Sequence, residues 1–336
     1  MMGRSWRWFV FGSFLAASCG TGADDVGTVQ AALTASSTPT ATGLPVGTTM
    51  TPNGPVDSTC VFEVPTGAVV EKGGDVIMNG VAIDHHRPCT PQQMGLLANG
   101  TTTSSSSPPS IYHDWIESIN ANAVPINGVA SYNDLSGYWT VPKDPNYQCI
   151  GSACYDDPPL LYFFPAFQSS NEIVQPVLSW GYTGPYGGPY WSLSSWYVGP
   201  GGAYYSPPLR AYAGDTIFGV ISILTPNEYQ ITTTNVTQGY YTYLNTYFYS
   251  PMNRVNGGAL EVYHIWSCNA YPTSTPITFY NLSIFQSGPS WNSYNLVNPN
   301  WSKAVDYGAN PQCTYGAFFS VDFNNNVSSA ILRYAD

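Results

Sequence analysis

The 336-residue chain has very little charge. Asp, Glu, Lys and Arg make up only 9 % of its residues, against about 25 % in average proteins. The 20 Asp and Glu outnumber the nine Lys and Arg, so the formal net charge is −11 at pH 7. Binding to nucleic acid is not expected, because phosphates need Lys and Arg to neutralise them. A surface built instead from Tyr, Ser, Thr, Asn and Gly is compatible with work in acid.

Motifs of the common catalytic and cofactor sites are also missing. The sequence has no Gly-x-Ser-x-Gly, no Walker loop, no dinucleotide fingerprint and no CxxC pair. Its four histidines are scattered, and His85-His86 is predicted to be a surface pair. A serine triad is therefore not expected, and neither is a metal or a cofactor.

The first 19 residues indicate export. Arg4 and Arg7 precede an apolar run from Trp8 to Ala17 that is too short to span a membrane, which is typical of a signal peptide. The run ends in Leu-Ala-Ala-Ser before Cys19, which resembles a bacterial lipobox. Two outcomes stay open: lipidation of Cys19, with anchoring at the cell surface, or ordinary cleavage before it, with free secretion.

Cysteine usage agrees with export, because an even number remains once Cys19 is set aside. Six cysteines allow fifteen pairings. Pairing of nearest neighbours predicts the disulfides Cys60–Cys89, Cys149–Cys154 and Cys268–Cys313.

Composition divides the rest of the chain. Residues 20–58, rich in Thr, Ala, Ser, Gly and Pro, are predicted to be a flexible tether, and residues 59–111 a small β unit with a linker. In residues 112–336, segments dense in Tyr, Trp, Val and Ile are broken every 8 to 12 residues by Gly, Pro or Asn. This pattern predicts an all-β antiparallel sandwich of the concanavalin A-like or jelly-roll type. Only YHDWIESINA, residues 112–121, has a weak helical pattern.

Two strand-like segments carry an unexpected polar group. In EIVQPVLSWG, Gln175 shares a strand face with Ile173 and Val177, and Pro176 argues against a regular central strand. In GALEVYHIW, Glu261 shares a face with Tyr263. Each group has a structural interpretation, as a buried amide or carboxylate paired with the backbone, and a functional one, as part of an active site.

Considered in order, short segments of residues 112–290 resemble the glutamic peptidases of the eqolisin family. The matching motifs are Val141-Pro142, Gln175 in IVQPVLSWG, Trp196-Tyr197, Gly214-Asp215, Asn235-Val236-Thr237 and Glu261 in GALEVYHI. Two departures concern Pro176, where the family tends to have Thr, and Ser194-Ser195, where it usually has an acidic residue between aromatics. Residues 291–336 have no clear counterpart.

The resemblance implies an acid-acting endopeptidase with Gln175 and Glu261 as its catalytic dyad. It also implies polypeptide substrates, bound with help from Trp180, Ser195, Trp196 and Tyr263, and a proenzyme in which residues 20–111 are the propeptide. A monomer is expected.

Two other functions remain open at this point. One is a non-catalytic, lectin-like sandwich in which Trp180, Trp191 and Trp196 stack on sugars. The other is a peptidase with a pair of glutamates, of the neprosin type, although no second glutamate is as well placed as Glu261.

Overall fold

The computed structural model of the chain describes part of the sequence in detail. The described residues are 47–95, 115–146, 149–150, 153–154, 159–183, 186–265, 268–273, 276–288, 290–307, 313–322, 324 and 327–334. The predicted signal peptide with Cys19, the tether up to residue 46 and the linker at 96–114 lie outside these ranges.

Strand is the main secondary structure of the described chain, as the turn spacing predicts. The first six strands are β1 (Thr48–Thr51), β2 (Gly54–Asp57), β3 (Val61–Glu63), β4 (Val69–Val70), β5 (Asp75–Met78) and β6 (Val81–His85). The next nine are β7 (Trp115–Asn122), β8 (Tyr132–Thr140), β9 (Cys149–Ile150), β10 (Ala153–Cys154), β11 (Leu160–Gln168), β12 (Ile173–Tyr182), β13 (Gly187–Gly199), β14 (Gly202–Tyr205) and β15 (Leu209–Ala211). The last nine are β16 (Thr216–Thr225), β17 (Glu228–Asn235), β18 (Tyr240–Tyr247), β19 (Arg254–Tyr263), β20 (Ile277–Gln286), β21 (Asn295–Val297), β22 (Ser302–Val305), β23 (Gly316–Asp322) and β24 (Val327–Arg333). Two 3₁₀ turns lie at Ser58–Cys60 and Cys268–Ala270, and no described helix is long and apolar enough to cross a membrane.

Two large sheets face each other and form a sandwich. The front sheet has the order β22-β7-β19-β11-β12-β13-β14-β3, with β15 paired to β13. The back sheet has the order β23-β24-β20-β8-β16-β17-β18-β4-β5-β6, with β21 paired to β20. A continuous core of buried apolar side chains from both sheets lies between them. The predicted all-β sandwich is confirmed, and its pairings are antiparallel except for β3 with β14 and β4 with β18.

The segment with the weak helical pattern is a strand, so that prediction is wrong. Its described residues, 115–121, lie in β7, which pairs with β19 on one side and with β22 on the other. Pairing along both edges satisfies the backbone of β7, and such tertiary contacts override a weak local preference for helix.

Pro176 lies inside a regular central strand, contrary to the expectation from sequence. Its strand β12 and the neighbouring strand β11 keep one register from Phe163↔Leu178 to Phe167↔Val174, which places Pro165 opposite Pro176. Each proline lacks an N–H, so the missing donors of the two strands coincide at one place in the ladder. On the inter-sheet side, the Pro176 ring packs against Gly219 of the back sheet. A Cβ atom on Gly219 would lie only 2.6 Å from that ring.

The N-terminal strands belong to the sandwich. Strand β3 pairs with the edge strand β14 of the front sheet, and β4 pairs with β18 of the back sheet, so this segment spans one edge of both sheets. The β1–β2 hairpin lies inside residues 20–58, for which composition predicts a flexible tether, so residues 48–57 form paired strands and are not part of a tether.

Two of the three predicted disulfides are formed, Cys60–Cys89 and Cys268–Cys313. For the third pair, the structure describes only the backbone, in which Cys149 and Cys154 are partners in the β9–β10 ladder.

Candidate active site

The face of the front sheet that points away from the back sheet is apolar and aromatic. We call it the covered face. Its buried side chains come from alternate positions of five strands: Leu160, Tyr162, Phe164, Ala166, Ile173, Gln175, Val177, Trp196, Val198, Ala203, Tyr205, Ala259, Glu261 and Tyr263. A second apolar cluster, separate from the inter-sheet core, forms where this face meets the N-terminal segment.

Residues 47–60 and 89–95 lie on this face, and we call them the cover. Met50, Val56, Cys60 and Met94 are its buried contributions to the apolar cluster. The two parts of the cover are joined by the Cys60–Cys89 disulfide and by a hydrogen bond of 2.7 Å from the Asp57 amide to the Gln93 carbonyl.

Gln175 and Glu261 both point into the covered face, on strands separated only by β11. The β11–β19 register places Glu261 opposite Tyr162. The β11–β12 register places Gln175 opposite Ala166, one step beyond the Phe167↔Val174 pair. Four positions of β11 correspond to about 13 Å along the strand. The two side chains do not hydrogen bond to each other, and the turn of the β1–β2 hairpin lies between them.

That turn consists of Pro52 and Asn53 between the paired residues Thr51 and Gly54. The Gln175 side chain donates a hydrogen bond from Nε2 to the Pro52 carbonyl. Its Oε1 has no partner in the described part of the molecule. Gln175 is fully buried, so this amide is aimed at a peptide carbonyl in a place that excludes water.

Glu261 meets the other end of the same turn. Its Oε1 accepts a hydrogen bond of 3.1 Å from the Gly54 amide, and a second one from the Tyr263 hydroxyl two residues along its own strand. The carboxyl group is fully buried. A buried carboxyl group in contact with a peptide N–H, beside an amide in contact with a peptide C=O, can act on a peptide group placed between them.

Tyr162 is a member of this site that the sequence analysis did not single out. Its hydroxyl donates to the Met50 carbonyl of the cover over 3.1 Å. Burial, together with the neighbouring Tyr186 and Glu261, raises the pKa of this hydroxyl well above its ordinary value, so it stays protonated and keeps its role as donor. In LLYFFPAF, Tyr162 is the one residue with a hydroxyl group in an otherwise apolar strand. A single tyrosine in such a strand is usually a core residue, so the sequence does not identify it as part of a site.

Asn256 is a second residue that sequence reasoning missed. It lies opposite Ala166 in the β11–β19 register, in the same cross-strand row as Gln175. A bulge in β19 between Asn256 and Ala259 puts both on the covered face, and this bulge breaks the alternation on which sequence reasoning depends. Asn256 is fully buried, donates weakly to Gln168 over 3.4 Å, and has an Oδ1 with no partner in the described residues.

The predicted substrate-binding residues divide between the two faces. Trp196 and Tyr263 lie on the covered face, where the Trp196 ring stacks on Tyr205 with centroids 4.8 Å apart. Trp180 and Ser195 point the other way. Trp180 packs against Trp191 in the inter-sheet core, and Ser195 hydrogen bonds to Thr233 of the back sheet over 2.8 Å. The structure therefore does not bring these two to the dyad.

Other buried carboxylates have structural surroundings. Asp215 accepts hydrogen bonds from the Tyr212 amide and from the side chains of Asn235 and Gln238, as expected of a turn residue. Glu117 is buried on the inter-sheet side of β7, where burial raises its pKa to about 8, although backbone amides of Gly316 and Arg333 partly oppose the shift. In the described ranges, no three His, Cys, Asp or Glu side chains cluster as metal ligands would.

The chain has no match among protein-family models or curated proteins. Among solved structures it is similar to scytalido-glutamic peptidase with a transition state analog inhibitor, at 12 % identity and a TM-score of 0.42 over 66 % of this chain and 98 % of that one. It is similar to SCP-B, a member of the eqolisin family of peptidases in a complex with a tripeptide, at 13 % identity and a TM-score of 0.39 over the same shares. Aspergilloglutamic peptidase from Aspergillus niger gives 16 % identity and a TM-score of 0.29 over 52 % and 99 %. At these identities and TM-scores the similarity does not establish an activity for this chain, which has to be inferred from its side chains.

Proposed function

We propose that the chain is an exported, acid-acting endopeptidase of the glutamic type. One observation carries the proposal. The buried carboxyl group of Glu261 and the buried carboxamide of Gln175, on one face of the front sheet, hydrogen bond to the two ends of the β1–β2 turn. Such a pair is suited to polypeptide substrates, since Gln175 meets the C=O of the Pro52–Asn53 peptide group and Glu261 meets the N–H of the next peptide group, Asn53–Gly54.

In this proposal Glu261 acts as general base and then as general acid. It takes a proton from a water molecule as the water oxygen bonds to the scissile carbonyl carbon. The tetrahedral intermediate then collapses, the C–N bond breaks, and Glu261 returns the proton to the leaving amine. The Tyr263 hydroxyl, hydrogen bonded to Glu261 Oε1, fixes the orientation of the carboxyl group.

Gln175 acts on the other side of the same carbonyl. Its Nε2 donates to the carbonyl oxygen as negative charge develops there, an interaction that in other hydrolases is worth about 3 kcal/mol. An amide suits acid conditions, because it remains a donor at any pH, whereas a second carboxyl group would first have to be protonated.

The covered face supplies the substrate groove. Tyr162, Phe164, Trp196, Tyr205 and Tyr263 give it an aromatic floor, in which Glu261 is fully buried. Such a floor favours polypeptide segments with uncharged, apolar side chains, because a charged side chain would be buried there without a partner.

Export to an acidic environment agrees with three features. The chain carries little charge, two disulfides are formed, and the buried Glu117 favours its protonated state. Disulfides persist in oxidising compartments outside the cytosol. Lipid attachment at Cys19 is part of the proposal only as the alternative to free secretion.

No separate observation favours the lectin-like alternative. Trp180 and Trp191 lie in the inter-sheet core, and Trp196 lies beneath the cover. None of the three is at the surface in the arrangement described, where a sugar could stack on it.

The proposal is tested with denatured protein substrate from pH 2 to pH 7, in the presence of pepstatin. The folded full chain is assayed before and after limited proteolysis between residues 96 and 114. Acid cleavage that Glu261→Gln abolishes and that Glu228→Gln, a carboxyl change in the back sheet, leaves intact is expected. Absence of cleavage by both samples, with the proteolysed chain assayed at high dilution, would refute the proposed activity.

A further inference from the structure

We propose that the cover is an autoinhibitory element, and that its turn at Thr51–Gly54 occupies the active site as a mimic of substrate. This inference rests on the peptidase function proposed above. It assigns the occupant of the covered face to a defined segment of the same chain.

The turn offers backbone groups of the kind that a substrate would offer to Gln175 and Glu261. The Pro52 carbonyl accepts from Gln175, in the position where a scissile carbonyl would sit. The Gly54 amide donates to Glu261 Oε1 over 3.1 Å, and so takes an acceptor that an attacking water would need. Backbone groups of the cover therefore occupy the donor Nε2 of Gln175 and the acceptor Oε1 of Glu261, and a substrate would have to displace them.

The contacts of the turn also protect it from being cleaved itself. Hydrolysis of the Pro52–Asn53 bond would require a water between Glu261 and the Pro52 carbonyl carbon. The Gly54 amide lies against the carboxyl group instead. The turn is also closed by a hydrogen bond of 2.8 Å from Thr51 Oγ1 to the Gly54 carbonyl, which fixes its conformation.

Buried apolar side chains on both sides of the turn anchor it to the covered face. Met50 and Val56 flank it and are only 3 % and 1 % exposed, because both pack into the apolar cluster on the covered face. The Tyr162 hydroxyl holds the Met50 carbonyl. Gly95 lies so close to the Pro55 carbonyl that a Cβ would come within 2.6 Å of it, so residues 89–95 pack closely against the hairpin.

The sharpest test uses two glycines in hairpin turns. Gly54 and Gly80 both have positive φ angles, +101° and +77°, and neither would place a Cβ within 4 Å of another group. Gly54→Asp puts a side chain, and the strain of a non-glycine residue at positive φ, into the turn that Glu261 contacts, whereas Gly80→Asp puts the same side chain and strain into the β5–β6 turn, outside the cover. In the full-length chain, Gly54→Asp is expected to raise kcat/KM in acid at least tenfold, and Gly80→Asp to leave it unchanged. Glu261→Gln in the Gly54→Asp background must abolish the gain.

A second variant and a structural measurement guard against a misfolded result. Met50→Asp with Val56→Asp removes the anchors without touching the floor, and hydrogen exchange at residues 48–57 reports whether the hairpin has left. The synthetic peptide of residues 47–60 is then added to the activated chain. It is expected to restore inhibition competitively, while the same peptide with both Asp changes does not.

The outcomes separate the two proposals. If the unchanged chain is as active as the variants with exposed hairpins, the peptidase stands and the autoinhibition is wrong. If chains with exposed hairpins remain folded and inactive, the peptidase function itself is wrong. If the hairpin stays protected from exchange in both variants, the contacts argued above do not hold it in place, and the inference fails.

Discussion

Gln175 and Glu261 meet opposite ends of one turn, Gln175 through the Pro52 carbonyl and Glu261 through the Gly54 amide. They start four positions apart along the intervening strand, and their long side chains converge on the peptide groups between them. The separation leaves room for a peptide group and a water, which a directly hydrogen-bonded pair would not.

Replacing the Gln175 amide should affect the chemical step more than binding. Gln175→Ala in the activated chain is expected to lower kcat about 100-fold with little change in KM, because the donor acts mainly on the developing oxyanion. Gln175→Glu should retain activity only in strong acid, where its carboxyl group is protonated and can donate, and lose it as the pH rises. Steady-state kinetics from pH 2 to pH 6 measure both. An equal loss at all pH values for Gln175→Glu would contradict the donor role.

Asn256 should contribute to holding the substrate. Its unpartnered, buried Oδ1 lies in the same row as Gln175, where it can accept from a substrate N–H. Asn256→Ala is expected to raise KM several-fold with a smaller effect on kcat. Asn120→Ala, one strand further along that row, is the matched control. A fall in kcat with unchanged KM would instead place Asn256 in the chemistry.

The sequence indicates the strands that carry Gln175 and Glu261, because both are long, apolar and interrupted by one polar residue. Sequence reasoning placed Gln175 and Glu261 on the correct faces by alternation alone. It missed Asn256, because the bulge between Asn256 and Ala259 shifts the alternation by one position. It also missed β24, whose small serines do not stand out without knowledge of β20 and β23 on either side.

The position of the cover was beyond prediction for a different reason. Residues 48–57 are rich in Thr and Pro, and their local sequence gives no strong strand signal. Their order comes from the apolar floor beneath them, which belongs to residues more than 100 positions later. A proline is accommodated at position 176 because Pro165 lies opposite it in the neighbouring strand. The local sequence around Pro176 does not show this pairing.

The Cys60–Cys89 disulfide should stabilise the cover. It closes a segment with a sequence separation of 29 residues, for which chain entropy predicts about 3–4 kcal/mol. Cys60→Ser with Cys89→Ser is expected to make residues 47–95 more sensitive to proteolysis and to raise basal activity. The matched control is Cys268→Ser with Cys313→Ser, which lies outside the cover. Equal sensitivity of residues 47–95 in both double variants would argue against a role specific to the cover.

The buried Glu117 should make the protein less stable as the pH rises. Its pKa is about 8 in the fold and 4.5 as its ordinary value, so the folded state binds more protons between these limits. The stabilisation is fully present below pH 4.5 and is lost as the pH rises to 8, at about 1.4 kcal/mol per pH unit. Glu117→Gln should flatten the free energy of unfolding over this range, as urea titrations can show. The exposed Glu71→Gln is the control, and a parallel pH dependence in both variants would count against Glu117 as the cause.

Contact between the two sheets at Pro176 should be intolerant of added volume. A Cβ on Gly219 would lie 2.6 Å from Pro176 and 2.8 Å from Trp139, both rigid rings. Gly219→Ala is expected to destabilise the fold by about 1–3 kcal/mol, whereas Gly73→Ala, whose Cβ meets only a distant side-chain oxygen, should not. Thermal unfolding at pH 4 compares them. A neutral Gly219→Ala would mean that the sheets can separate locally beneath the dyad.

The pairing of β3 with β14 and of β4 with β18 has a consequence for how activity would appear over time. Neither described disulfide crosses residues 96–114, since Cys60–Cys89 lies before them and Cys268–Cys313 after them. Once the chain is cut there, the severed N-terminal piece would still be bound as an edge strand of both sheets. Its departure then becomes a bimolecular equilibrium governed by mass action. At high concentration the cut chain would keep the N-terminal piece bound and show little peptidase activity. On dilution the piece would dissociate and the activity would rise.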